Sequence, residues 1–123
     1  MRELRQIIPR NFQEYRKSTR DRRACERLLH ISIESVLDMC NMLASRLRLG
    51  LPGDEEDLLQ KLQEAETLST KTIRKIRSLK AFRNILVHRY GRLDDKAVYE
   101  ILKKHLEDFE EFIAEVRKIL REK

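Results

Sequence analysis

Three glycines and two prolines in 123 residues leave little material for tight turns. That excludes a sandwich or barrel of many short strands, which needs a turn every few residues, and favours a few long helices. No apolar run approaches the roughly 18–20 residues that a membrane span requires. The first eight residues, with Arg2, Glu3 and Arg5 among them, are too polar for the core of a signal peptide. A chain with no membrane contact, located in the cytoplasm, is the expectation. Cysteine is nearly absent. Cys25 and Cys40 lie 15 positions apart, about 22 Å along a continuous helix, too far for a disulfide without a break. Neither belongs to a close ligand pair such as C-x2-C, and there is no glycine-rich phosphate loop, so the expectation is no metal and no cofactor. The two thiols read as small buried apolar groups.

Charge is abundant. The chain carries 27 Lys and Arg against 21 Asp and Glu, a net +6. Residues 71–92 hold eight cations (Lys71, Arg74, Lys75, Arg77, Lys80, Arg83, Arg89 and Arg92) and no acid, while the stretch before them is rich in acid, from Asp54 to Glu66. A long basic stretch is the electrostatic footprint of a phosphate-rich ligand, although a merely solvated face carries the same pattern.

Apolar spacing is helical throughout. Cys25, Leu28, Leu29, Ile33, Val36, Leu37, Cys40, Leu43, Ala44 and Leu47 form one stripe of a long helix. That helix starts either near Asn11, after Pro9, or afresh at a cap in residues 18–21. The turn at residues 50–54 ends it. Leu58, Leu59 and Leu62 mark a short helix, and Ser69 or Thr70 caps the next, which carries Ile73, Ile76, Leu79, Phe82, Leu86 and Val87 toward a stop at Gly91. A last helix, capped by Asp94 or Asp95, presents Val98, Leu102, His105, Phe109, Phe112, Ile113, Val116 and Leu120. The pattern predicts one all-α domain over residues 1–123, a four- to five-helix up-and-down bundle in which residues 1–19 are an atypical arm or short helix.

Residues 82–91 read Phe-Arg-Asn-Ile-Leu-Val-His-Arg-Tyr-Gly, an R-x4-H-x-Y pattern. These are tools for cleaving RNA without a metal. His88 can take or give a proton near neutral pH. Arg83 presents a fixed fork of donors to a phosphate gathering charge. RNA brings its own nucleophile, the 2′-hydroxyl. On a regular helix Arg83 and Tyr90 fall about 20° apart and Asn84 and His88 about 40°, whereas Arg83 and His88 diverge by about 140°. Either the helix loosens toward Gly91 or a second protomer completes the site. Arg83 also shares the face of Ile76, Leu79 and Leu86, so its charge needs a partner. Glu34 and Asp38, one turn apart on the long helix, are the internal candidates. His30 reads as a surface or packing residue, His105 as a core or interface residue, and Met39 and Met42 as packing or dimer-contact residues.

The run at 82–91 resembles the signature of HepT-like proteins, a branch of the HEPN superfamily. The likeness extends upstream through residues 33–41 and the Gly50-Leu51-Pro52 turn, and downstream through residues 93–100, so that it covers residues 20–120. The resemblance implies a homodimeric, metal-independent endoribonuclease, the toxin of a toxin–antitoxin pair, whose two motif segments line a shared cleft. Its partner would be a minimal nucleotidyltransferase (MNT) antitoxin that transfers AMP to the motif tyrosine. Carried onto this chain, Arg83 would stabilise the scissile phosphate and His88 would be the general acid/base. Asn84 would support or orient and Tyr90 would be the AMPylation site, while Glu34 and Asp38 are supporting residues on the spacing argument above. RNA would be steered by Arg74, Arg77, Lys80 and Arg89. The alternative is a non-catalytic HEPN module that binds nucleotide, RNA or a nucleotidyltransferase.

Overall fold

A computed structural model describes residues 6–87 and 95–122. The described residues form six helices: α1 (Phe12–Lys17), α2 (Thr19–Arg46), α3 (Glu55–Glu64), α4 (Thr70–Val87), α5 (Asp95–Lys104) and α6 (Leu106–Glu122). Among them there is no strand, and no helix is long and apolar enough to cross a membrane. The fold is all-α, as expected, with two more breaks than periodicity alone suggests.

The first break is at Ser18. Asn11 caps α1 by accepting from the Glu14 amide at 2.9 Å, and Ser18 leaves the helical region (φ −102°, ψ 105°) to accept from the Asp21 amide at 3.1 Å. Each cap satisfies an otherwise orphaned donor, so the chain starts afresh at Thr19. The segment before α2 is packed in place. Tyr15 is fully buried, Ile7, Ile8 and Phe12 lean on the core, and the Tyr99 hydroxyl on α5 donates to the Pro9 carbonyl at 2.9 Å. The rings of Phe12 and Tyr15 stand 5.9 and 5.2 Å from that of Tyr99.

The second break corrects the reading of one continuous last helix. The chain bends at His105, whose carbonyl accepts from the Asp108 amide in a tightened turn. Leu106 rather than His105 completes the apolar stripe with Leu102 and Phe109, because the leucine gains from burial and the imidazole does not. His105 is exposed, its Nδ1 3.1 Å from Asp108 Oδ2.

At the centre lies α2, 28 residues long and in contact with all five other helices. Its stripe from Cys25 to Ala44 is buried, as spacing predicts, apart from Leu28, which is half-buried at the margin of the core. Both cysteines are free and buried, and desolvation pushes their thiols up, to about 11 for Cys25 and about 12 for Cys40. After α2 the chain reverses through Arg48 (φ 55°) and Gly50 (φ 96°) into a reciprocal cap. Asp54 Oδ1 accepts from the Asp57 amide at 2.7 Å, and Asp57 Oδ2 accepts from the Gly53 amide at 2.8 Å. This fixes the first turn of α3, with Glu55 and Glu56, against α4. At the other end of α3, Ser69 caps α4, and Glu115 of α6 binds both the Ser69 amide (2.7 Å) and the Thr72 hydroxyl (2.6 Å).

Candidate active site

On α4, Ile73, Ile76 and Leu79 are buried, and Arg83 follows Leu79 by one turn on the same face. The stripe therefore delivers a guanidinium where apolar side chains would otherwise continue. Only 14% of its side chain is exposed. Nη1 donates to Glu34 Oε1 of α2 at 2.8 Å, and Nη2 donates to Glu55 Oε1, the first residue of α3. Nε is buried and has no partner among the described residues. Hydrogen bonding to Glu55, joined by Glu34, raises the guanidinium pKa further, while the bond from Arg83 holds the Glu34 carboxyl below the usual carboxylate range. His30 Nε2 lies 3.6 Å from the same Glu34 oxygen, so an acid does stand beside this histidine.

Of the two acids expected to meet Arg83, Glu34 does. Asp38 does not: it is exposed one turn further along α2 and forms no ion pair among the described residues. Glu55 takes its place. Spacing along a single helix could not reveal Glu55, since its approach depends on how the 47–54 reversal lays α3 across α4. The available signal was compositional, an acid-rich run preceding an acid-free helix.

That signal extends further. Glu56 Oε1 accepts from Arg77 Nε (2.9 Å) and Nη2 (2.8 Å), and its Oε2 lies 3.4 Å from Lys80 Nζ. Hydrogen bonding to Arg77, then Lys80, lowers the Glu56 carboxyl. Lys75 reaches Asp108 (2.8 Å) and Glu111 (2.9 Å) of α6. The acid-free helix is thus neutralised from three sides, by α2, α3 and α6, and of its six described cations only Lys71 and Arg74 form no ion pair among the described residues. Asn84 is exposed. His88, Arg89 and Tyr90 lie outside the described residues, while α4 runs as regular helix through Val87. Met39 packs against the core, and Met42, 63% exposed, turns outward. A surface groove of about 410 Å³ at the end of α2, lined by Asn41, Ser45, Arg48 and Leu51, contains none of the expected site residues. Among the described residues no three His, Cys, Asp or Glu side chains are grouped as metal ligands would be.

A long central helix packed against α4, with an arginine held between carboxylates of two other helices, sits in an all-α bundle whose fold matches that of a HEPN toxin. Solved structures share that fold. One is a tri-AMPylated Shewanella oneidensis HEPN toxin in complex with an MNT antitoxin, matched with a TM-score of 0.85 and 22% identity over 95% of this chain and 87% of that one. A toxin–antitoxin structure with AMP-PNP matches with a TM-score of 0.82 and 22% identity, covering 94% of this chain and 89% of the other. The family model described as "Ribonuclease HepT-like" matches residues 1–116, and this chain belongs to that family. The match reaches back to residue 1, beyond Arg20, where the resemblance drawn from the motif and its flanks begins. Among curated proteins the chain is similar to the mRNA nuclease HepT of Shewanella oneidensis, 30% identical over 80 residues. The matched region is 65% of this chain and spans 60% of that nuclease's length.

Proposed function

We propose that this chain is the endoribonuclease toxin of a HepT/MNT-type pair. In this reading it cuts RNA without a metal ion, in a cleft shared by two protomers, and is silenced when a nucleotidyltransferase antitoxin transfers AMP from ATP to Tyr90. The observation that carries the reading is the family match over residues 1–116, a span that includes an uninterrupted R-x4-H-x-Y run from Arg83 to Tyr90. The named relative is an mRNA nuclease, and a solved neighbour is an AMPylated toxin held by an MNT antitoxin.

The chemistry follows from the side chains. One protomer's His88 removes the proton of the 2′-hydroxyl or returns one to the leaving 5′-oxygen. Arg83 of the other protomer meets the charge that develops on the phosphate. Glu34 and Glu55 hold the guanidinium in a fixed orientation before substrate arrives. A phosphate must displace or share their bonds: a phosphodiester offers the same bidentate oxygen geometry and single charge as one carboxylate, and the advantage comes with the second negative charge that develops in the transition state. AMP on Tyr90 adds bulk and a negative charge to this site, excluding RNA by contact and by repulsion.

The test is cleavage of total RNA in the presence of a chelator. Wild type is expected to cut, and His88→Ala to lose about 10²–10⁴-fold in rate; undiminished cleavage by the variant overturns the role of His88. One observation favours a second reading. Arg83 is already paired with two carboxylates, as a purely structural arginine would be, and this suits a module that binds RNA or a nucleotidyltransferase without cutting. RNA binding with no cleavage under any condition, together with AMP transfer to Tyr90, would select that alternative.

A further inference from the structure

The first turn of α3 places two carboxylates side by side, and they face different targets. Glu55 reaches the single, mostly buried Arg83. Glu56 divides its two oxygens between Arg77 and Lys80, one oxygen to each cation. In the Glu56 cluster the acid is the outermost member: its side chain is 52% exposed, against 35% for Arg77 and 20% for Lys80. A polyanion approaching this part of α4 meets the carboxylate before either cation. One turn toward the start of α4, Arg74 is exposed and forms no ion pair among the described residues.

We propose that Glu56 is a specificity-determining residue that withholds Arg77 and Lys80 from RNA phosphates. The inference rests on the ribonuclease reading and deepens it. Contacts to phosphates bind any strand regardless of its sequence or shape, and they dominate non-specific affinity. A toxin whose cut site depends on one arginine and one histidine gains nothing from a long cationic track that holds strands out of register. Glu56 shortens that track, leaving Lys71, Arg74 and the Arg83 site as the places where α4 grips a strand. Stability does not account for the arrangement, since exposed ion pairs contribute little to folding. The N-terminal turn of a helix also favours a carboxylate at that position, so Glu56 is held there at no structural cost.

The experiment measures binding of a labelled, mixed-sequence single-stranded RNA across a series of salt concentrations, in a His88→Ala background so that binding is read without cleavage. Glu56→Gln is expected to bind more tightly, with a log–log salt slope steeper by about 1.4, two phosphate contacts at about 0.7 each. Adding Arg77→Gln and Lys80→Gln to it should return the parent slope. Arg74→Gln in the parent should flatten the slope by about 0.7, whereas Arg77→Gln with Lys80→Gln in the parent should leave it unchanged. An unaltered slope in Glu56→Gln, or a flattened slope when Arg77 and Lys80 are changed in the parent, overturns the assignment while leaving the ribonuclease reading intact. Failure of parent and Glu56→Gln alike to bind RNA at low salt overturns the RNA reading, and this inference with it. Unchanged circular dichroism and thermal midpoint of Glu56→Gln establish that the fold is intact.

Discussion

A guanidinium with both terminal nitrogens committed to carboxylates sits at the residue-scale centre of this molecule. The fork matters more than the charge. Lysine at position 83 keeps a positive charge but cannot span Glu34 and Glu55 or present two parallel donors to a phosphate. Arg83→Lys is therefore expected to lower cleavage by about 10²-fold or more, with its circular dichroism unchanged; retention of more than half the wild-type rate would contradict the assigned role. The same pair has a pH signature. Arg83 depresses the Glu34 carboxyl, and although burial alone would raise Asp108, its hydrogen bonds from Lys75 and His105 keep it low as well. A carboxyl that is more acidic folded than unfolded stabilises the fold above its unfolded pKa, about 4, and that contribution disappears as the pH falls through the folded value. Thermal midpoints should hold steady from pH 7 to 5 and fall below about 4, and Glu34→Gln should lose part of that acid sensitivity. An identical acid profile in the variant would show that the pair carries no linkage. Arg83 itself could be read from spacing, because Ile76 and Leu79 fix its face. Glu55 could not, since its proximity arises from a chain reversal.

At the scale of elements, apolar periodicity places α2, α3 and α4 to within a few residues and is weakest where a stripe tolerates two registers. From Leu102 the chain can step to His105 or Leu106 and still reach Phe109; the break at His105 selects the leucine. At the other end of the chain, the choice between one long helix and a fresh start is decided by a single hydroxyl. Ser18→Ala should cost about 1 kcal/mol of unfolding free energy in denaturant titration, and Ser18→Asp should restore it, since either side chain can accept from the Asp21 amide. A neutral alanine variant would mean that the helix start rests on packing alone. The arm before α2, read as atypical and set apart by Pro9, is held by Phe12 and Tyr15 packing on Tyr99, more than eighty positions further along the chain. Only tertiary packing discloses that contact.

For the whole molecule, net charge is a poor guide to free charge. The +6 balance and the acid-free run at 71–92 suggest an open cationic face, yet α2, α3 and α6 supply carboxylates to four of the six described cations of α4. Composition reveals how many charges exist, and only the fold reveals which are spent. The functional account depends on two chains. On a regular helix Arg83 and His88 would diverge by about 140°, and α4 is regular through Val87, the last residue described before His88, so Arg83 of one protomer is proposed to work with His88 of the other. Mixing the inactive variants Arg83→Ala and His88→Ala tests this most directly. After unfolding and refolding together at equal concentration, mixed dimers would contain one cleft with both native residues, and roughly a quarter of the wild-type RNA cleavage should return. If the mixture stays as inactive as either variant alone, although mixed dimers are shown to form, the cleft shared between protomers is contradicted.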